Sequence, residues 1–414
     1  MQARPHRSGT TRSRDGAAEV FLAFLKLGLT SFGGPIAHLG YFRDEFVVRR
    51  HWLDERGYAE LVALCQFLPG PASSQVGFAL GLGRAGWAGA LAAWLGFTLP
   101  SAFLLVLFAQ GLAWAGDGSR MLDSVVHGLK IVAVAIVAQA VWSMWRSLCP
   151  DWPRRALALS AALLALAWPG TTAQLLALSL CALAGWRLVA DPDAFASSAA
   201  GRGPDARAAT IALALFAALL LGLPLAASVS DAHWLRVVEA FYRAGALVFG
   251  GGHVVLPLLQ AGVVEPGWVT ESAFLAGYGA AQAIPGPLFA FAAYLGSVIG
   301  ASAAAVAGAW LGAAACLAAI FLPGCLIVVA ALPHWNRLRE RTGARAAIAG
   351  VNAGVVGLLL AASIDPVATG AIRAPADAAV AALLLVLALR ARWAPLSLVA
   401  LGIALGALRA LVAS

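Results

Sequence analysis

Charged residues are scarce in this chain: they make up 12% of its 414 residues, whereas hydrophobic residues make up 61%. Soluble domains carry about 25% charged residues, so the composition excludes a soluble globular protein. A membrane-spanning helix needs roughly 20 apolar residues, and the chain has room for about a dozen of them. A transmembrane barrel would instead show alternating segments of about 10 residues. We therefore predict an all-α polytopic membrane protein.

The sequence also lacks the motifs of catalysis and of metal binding. Its five cysteines have no metal-ligand spacing and mostly lie in apolar segments, so we interpret them as packing residues. There is no His-Glu-x-x-His, no Gly-x-Ser-x-Gly with triad partners and no phosphate-binding Walker loop. We therefore expect no enzyme, no ATP-driven pump, no cofactor and no metal. The net charge of +8 lies mostly in loop arginines, and no motif indicates nucleic-acid binding.

Four segments follow one another along the chain. Residues 1–16 are polar and carry four arginines, and we interpret them as a retained cytoplasmic tail. Residues 17–190 and 235–414 each contain six apolar elements. Residues 191–234 combine a linker rich in Ser, Gly, Pro and charge with one connecting transmembrane helix.

The two six-element segments share four sequence patterns in the same order, which indicates an internal duplication. "FLKLGLTSFGGPIAHL" from residue 24 matches "FYRAGALVFGGGHVVL" from residue 241, and "QFLPGP" matches "QAIPGP". "GFTLPS" matches "AIFLPG", and "GLKIVAVAI" matches "GVNAGVVGL". Six elements plus one connecting helix give an odd offset, so we predict homologous halves in inverted orientation, as in many secondary transporters.

Loop charge leaves two topologies open. With thirteen crossings from an inside N-terminus, most basic loops face the cytoplasm, as the positive-inside rule requires. The loop Tyr41 to Tyr58 is an exception, because it carries four arginines and would lie outside. The conflict disappears if the first two elements of each half are re-entrant and return to the side from which they entered. The alternative is that these elements cross as broken helices and that acids offset the arginines.

A Gln-x-x-Pro-Gly-Pro sequence, which we call a break, interrupts an apolar element in each half. The residues are Gln66, Pro69, Gly70 and Pro71 in the first half, and Gln282, Pro285, Gly286 and Pro287 in the second. A helix that begins after a break points free N–H groups and about half a positive charge at its start, which predicts an anion site. Ser73 and Ser74 add hydroxyl donors after the first break, whereas apolar residues follow the second. The alternative is a packing kink, since Pro and Gly are tolerated in membrane helices.

Phe-Gly-Gly is the second paired feature, and a basic residue precedes it in each half. The residues are Phe32, Gly33 and Gly34 after Lys26, and Phe249, Gly250 and Gly251 after Arg243. Consecutive glycines can form a nest of N–H groups for an anion, and cations inside a membrane mark substrate paths. Close packing of small residues and snorkelling of the cations are the alternatives. His38, His253 and Glu60 are candidates for proton coupling.

Together these segments resemble the chromate ion transporter (CHR) family in its long, two-domain form. The resemblance covers nearly the whole chain and implies inverted halves. It also implies a multi-pass protein of the bacterial inner membrane that exports chromate from the cytoplasm. Proton motive force or anion exchange would drive export, and sulfate would be a chemical mimic. The expected partners are a small oxyanion and the lipid bilayer, with a homodimer as one arrangement. Uptake of sulfate or another anion, and a passive anion channel, are the alternatives.

Overall fold

A computed structural model of the chain describes residues 11–32, 34–115, 120–168, 170–189, 204–249, 254–301, 305–334, 341–390, 393 and 395–412. Every regular element in these ranges is helical, and no strand occurs within them. Helices satisfy backbone hydrogen bonds inside one segment, which a lipid environment demands. The predicted all-α class is confirmed.

The helices of the first half are α1 (Thr11–Thr30), α2 (Gly34–Phe42), α3 (Glu55–Phe67), α4 (Ala72–Ala115), α5 (Arg120–Leu148), α6 (Trp152–Ala167) and α7 (Thr171–Leu188). A π-helical turn, Arg43–Arg49, continues α2. Non-helical backbone at Ala85 and Gly86 divides α4 into two arms, residues 72–84 and 87–115. The connecting helix is α8 (Ala206–Val229).

The helices of the second half are α9 (His233–Ala246), α10 (Val255–Val263), α11 (Glu271–Ala283), α12 (Phe291–Ala301), α13 (Ala305–Ala331), α14 (Thr342–Ala362), α15 (Pro375–Arg390) and α16 (Pro395–Val412). Their order repeats that of the first half, with α12 and α13 in the places of the two arms of α4. The packing repeats too. A Cβ on Gly28 of α1 would lie 2.7 Å from the carbonyl oxygen of Gly96 in α4, and a Cβ on Gly245 of α9 would clash with the carbonyl oxygen of Ile320 in α13.

The first two elements of the first half return to the end at which they begin. Arg50, which follows α2, lies 3.2 Å from the Glu19 carboxylate of α1. Arg84, at the end of the short arm of α4, lies 3.1 Å from the same carboxylate. Both guanidinium groups stack over the ring of Trp52, in the loop before α3. The start of α1, the loop before α3 and the end of the short α4 arm therefore share one end of the molecule, which is the arrangement that the re-entrant topology predicts.

The second half is built the same way from the opposite end. The ring of His233, at the start of α9, lies 5.3 Å from the ring of Trp268, in the loop between α10 and α11. Gly300 of α12 packs directly on the backbone of Gly308 near the start of α13. Helix α13 then runs about 40 Å, and its last residue, Ala331, is buried in the cluster that contains Phe46 of the first-half hairpins. The two pairs of hairpins thus enter from opposite ends, as the predicted inverted halves require.

Five described helices are long and apolar enough to cross a membrane by length and composition. They cover residues 72–114, 124–148, 206–229, 306–334 and 342–371. Shorter apolar helices cover residues 172–188, 288–301 and 396–405. By contrast, α2 and α3 have 9 and 13 residues, so each rises less than about 20 Å, short of the roughly 30 Å hydrocarbon core. The chain is a multi-pass membrane protein with short helices at its centre.

Candidate functional site

Each break pairs with the residue that precedes Phe-Gly-Gly in the other half. The N–H of Gly70 donates to the carbonyl oxygen of Val248 at 2.7 Å, and the N–H of Gly286 donates to that of Ser31 at 3.0 Å. Ser31 and Val248 directly precede Phe32 and Phe249 at matching positions of the repeat. The tips of the hairpins therefore meet at the centre of the molecule in a reciprocal arrangement.

Glycine is required at both breaks. Gly70 has φ = 120° and Gly286 has φ = 110°, values that residues with a Cβ rarely adopt. A Cβ on Gly70 would lie 3.0 Å from the Cα of Gly324, and one on Gly286 would lie 2.8 Å from the Ser101 hydroxyl. Ser101 and Gly324 end the matched segments "GFTLPS" and "AIFLPG". A third pair of repeated segments thus lines the centre, again with each half packed on the break of the other.

The short arm of α4 begins at the first break with its N-terminus in the interior. Its first backbone hydrogen bond runs from the Gln75 N–H to the Pro71 carbonyl at 2.9 Å. Helical geometry therefore leaves the N–H groups of Ala72, Ser73 and Ser74 without an acceptor inside the helix. Ser73 and Ser74 are 3% and 6% exposed. The arrangement gathers N–H and O–H donors at the positive end of a helix dipole, which is chemistry that holds an anion.

Several polar atoms around the breaks are buried and have no hydrogen-bond partner within the described part of the chain. They are Ser31 Oγ, Ser74 Oγ, Gln75 Oε1, Thr98 Oγ1 and Gln282 Nε2. A buried polar atom without a partner costs about 1–3 kcal/mol, so a cluster of them requires an explanation. These atoms are groups with which a bound polar ligand could form hydrogen bonds.

The two breaks differ in chemistry. A 3-10 turn, Leu288–Ala290, follows the second break, and its three residues are buried and apolar. Ser73 and Ser74 of the first half correspond in the repeat to Phe289 and Ala290. The second half contributes Gln282 to the polar groups around the breaks, and the Nε2 atom of this residue is buried. The first half therefore supplies most of the polar groups at the centre.

Lys26 and Arg243 are each paired with a carboxylate of their own half. The Lys26 side chain is 54% exposed, and its Nζ lies 3.3 Å from Glu45. Burial raises the pKa of Glu45, but hydrogen bonds from Arg50 and Lys26 outweigh burial and hold that pKa below its usual range. Arg243 makes a two-pronged ion pair with Glu239, at 2.6 and 3.3 Å. The structure thus gives both cations a neutralising partner.

The other predicted site residues differ in how far their side chains are exposed to solvent. Gln66 is exposed, Phe32 and Phe249 are half-buried, and Glu60 is buried on α3. His38 is 1% exposed, with its ring edge-on to Phe97 at 5.2 Å. Gly33, Gly250, Gly251 and His253 lie outside the described residues.

Sequence reasoning missed Ser31, Gln75, Thr98 and Ser101 as residues of the centre. Only Ser101 has a signal in the sequence: it ends "GFTLPS", which matches "AIFLPG" in the second half. That match does not indicate that the segment lies beside a break. Within the described residues, no group of three or more His, Cys, Asp or Glu side chains could hold a metal ion.

Comparison with known proteins gives independent evidence of the family to which the chain is similar. A family model described as chromate transporter matches residues 18–186 and 235–407. A chromate transport protein of Pseudomonas aeruginosa is 31% identical over 358 residues, 86% of this chain and 82% of that protein. A chromate transport protein of Cupriavidus metallidurans is 28% identical, over 84% of this chain and 81% of its own. An uncharacterised transporter of Methanocaldococcus jannaschii is 26% identical, over 85% of both. No solved structure matches the chain.

Proposed function

The chain belongs to the chromate transporter family, and from that premise we propose that it exports chromate from the cytoplasm across the bacterial inner membrane. The proteins of this family are transporters, not enzymes. Proton motive force or exchange for another anion drives export in this proposal. The observation that carries it is the reciprocal pairing of the breaks, because inverted halves that meet at interrupted helices are how secondary transporters build a central anion site.

The site that we propose holds chromate without a metal. Chromate is a tetrahedral oxyanion whose oxygens accept hydrogen bonds, and the first turn of the short α4 arm offers backbone N–H groups and the Ser73 and Ser74 hydroxyls. Ser31 and Val248, which precede the two Phe-Gly-Gly sequences, and the second break lie on the other side of this proposed site. His38, His253 and Glu60 remain candidates for carrying a coupled proton.

The transport experiment uses everted membrane vesicles, whose cytoplasmic face is outside. We expect energised vesicles to accumulate labelled chromate, collapse of the proton gradient to stop uphill uptake, and unlabelled sulfate to reveal the selectivity by competition. Uptake that continues downhill at an unchanged rate after the collapse would identify a passive channel. If vesicles with and without the protein take up chromate alike, the proposal is wrong.

Neutralising Lys26 or Arg243 tests whether these cations line the path of chromate through the protein. We expect Lys26→Gln to reduce chromate uptake modestly with normal protein levels, because Glu45 keeps Arg50 at 2.8 Å. Arg243→Gln should have a larger effect, since it leaves Glu239, whose side chain is 12% exposed, without its partner. The double variant Glu239→Gln/Arg243→Gln removes that penalty and is the control. Wild-type kinetics in both Lys26→Gln and the double variant would show that neither cation serves the substrate.

Labelling of single cysteines tests the topology. We place the first-half hairpins on the cytoplasmic side, because the positive-inside rule assigns their arginines to that side. In a cysteine-free background, a membrane-impermeant maleimide should label Asp44→Cys in everted vesicles and Pro266→Cys in spheroplasts; both positions are exposed. Labelling of both cysteines from the same side would contradict the inverted arrangement in the membrane.

A further inference from the structure

Gln75 lies four residues after the first break, and its side chain joins the two halves. It is 1% exposed. Its Nε2 donates to the Pro69 carbonyl at 2.7 Å and to the Gly324 carbonyl of α13 at 3.1 Å. Carbonyl oxygens only accept hydrogen bonds, so the amide nitrogen must face them. The orientation of the amide is therefore fixed by chemistry, and Oε1 points the other way.

The Oε1 atom is buried and has no hydrogen-bond partner in the described part of the chain. Gln75 directly follows Ser74 in the first turns of the short α4 arm, and the Ser74 hydroxyl is also buried without a partner among those residues. A flip of the amide would place Oε1 against two carbonyl oxygens and lose both hydrogen bonds. The helix start thus combines several donors with one fixed acceptor.

A fixed acceptor distinguishes oxyanions by their protonation. A fully deprotonated oxyanion has only acceptor oxygens, so one of them would face the lone pairs of Oε1. A singly protonated oxyanion has one O–H to donate to Oε1, and its other oxygens accept from the N–H and hydroxyl groups. A buried site that leaves a polar group unpaired with one ligand rejects that ligand strongly.

We propose that the central site binds chromate in its singly protonated form, hydrogen chromate, and that Gln75 Oε1 accepts the hydrogen bond of the substrate O–H. The inference rests on the proposed function. Hydrogen chromate gives up its proton near neutral pH, whereas hydrogen sulfate does so only in strong acid. At neutral pH, chromate therefore supplies the required O–H and sulfate does not, although the two anions share shape and charge. Gln75 is then a specificity-determining residue against sulfate.

Protein groups near the site also titrate, and the test must separate them from the substrate. The elements around the first break carry His38 on α2, Cys65 and Glu60 on α3 and Cys325 on α13. On α1 and α9, Lys26 and Arg243 form ion pairs with Glu45 and Glu239, and Glu19 and Arg236 are the other charged residues whose side chains are described there. Titration of any of these groups changes the binding of every oxyanion, whereas titration of the substrate changes the binding of chromate alone. Sulfate is therefore an internal control.

The experiment measures equilibrium binding of labelled chromate to the purified protein between pH 6 and pH 8, with sulfate as competitor. We expect the affinity for total chromate to fall by about tenfold or more across this range as hydrogen chromate disappears. Sulfate should compete weakly, with an inhibition constant that does not follow the same pH profile. Parallel pH profiles for the two anions, or a chromate affinity that does not change with pH, would overturn the inference.

The variant Gln75→Met keeps the approximate size of the side chain and removes both the Oε1 acceptor and the two hydrogen bonds that Nε2 donates. We expect it to lose the pH dependence of chromate binding and to narrow the preference for chromate over sulfate by about tenfold. The matched control is Gln174→Met, because Gln174 is also buried, donates from Nε2 to the Pro257 carbonyl at 3.2 Å and has a buried Oε1 without a partner among the described residues. This control should keep the wild-type profile.

The outcomes separate this inference from the proposed function. If wild-type vesicles transport no chromate at any pH, the proposed function fails. If they transport chromate while Gln75→Met keeps the wild-type pH profile and selectivity, only the role of Gln75 fails. If Gln75→Met does not accumulate in the membrane, the pH profiles of chromate and sulfate binding to the wild-type protein decide whether hydrogen chromate is the bound form.

Discussion

Gly70→Ala is expected to abolish chromate transport. The backbone at Gly70 has φ = 120°, and a Cβ there would lie 2.7 Å from the Nε2 of Gln75 and 3.0 Å from the Cα of Gly324. Strained backbone of this kind costs about 1–3 kcal/mol, and relief of the clash requires the two halves to move apart. The hydrogen bond from the Gly70 N–H to Val248 would then be lost. Initial rates of chromate uptake in everted vesicles, normalised to protein in the membrane, measure the effect.

Two further variants show whether the effect belongs to the site. Gly286→Ala should be as damaging as Gly70→Ala, because its φ is 110° and its Cβ would meet the Ser101 hydroxyl. Gly86→Ala is the control, since Gly86 has φ = 62° at the bend of α4 and a Cβ there meets no described atom within 4 Å. Gly86→Ala therefore introduces backbone strain at a position outside the centre, and this variant should retain most of the transport activity. Equal losses in all three variants would mean that strain alone is responsible.

The repeated patterns predicted the architecture because both halves must satisfy the same physical constraint. A helix interrupted inside a membrane survives only where protein or water covers its free backbone groups. Two interruptions at matching positions therefore indicated a shared centre. The repeat could not indicate that each break hydrogen-bonds to the residue before Phe-Gly-Gly in the other half. That pairing arises from inverted assembly, which joins residues about 180 positions apart, such as Gly70 and Val248.

Repeat matching singled out Gln66 in the first half and gave no reason to consider Gln75. Gln66 has a counterpart in Gln282, yet Gln66 is exposed, while Gln75 is buried between the halves. Gln75 corresponds to Phe291 in the second half, so no comparison of the halves marks it. A match finds what both halves share, namely the fold of the centre. The groups that make the first break polar are those that the halves do not share.

The ion-pair partners of Lys26 and Arg243 could not be predicted from the sequence for a related reason. Lys26 and Arg243 occupy matching positions, which indicated a common role. Their carboxylate partners do not match, because Glu45 lies in the loop after α2 and Glu239 lies one turn earlier on α9. Which carboxylate neutralises a cation depends on the folded arrangement of the hairpins, and the apolar pattern of the chain does not contain that information.

Ser74→Asp is expected to eliminate chromate transport while the protein still folds. A carboxylate in the first turn is favourable for a helix by about 0.3–1 kcal/mol, because it faces the positive end of the dipole. The same charge would lie where we place the oxyanion. Like charges in a desolvated site cost several kcal/mol, so about 3 kcal/mol implies a roughly hundredfold weaker interaction. Ser74→Ala removes one hydroxyl and should cost about tenfold. Uptake rates and the thermal stability of the purified protein report the two effects separately.

Thr172→Asp is the matched control for that charge. Thr172 is exposed in the first turn of α7, so an aspartate there meets the same kind of helix start outside the proposed site. We expect it to leave chromate transport unchanged. If Ser74→Asp folds and transports chromate at the wild-type rate, the start of α4 does not face the anion. The breaks would then serve to lock the inverted halves together, and the substrate path would have to lie elsewhere between them.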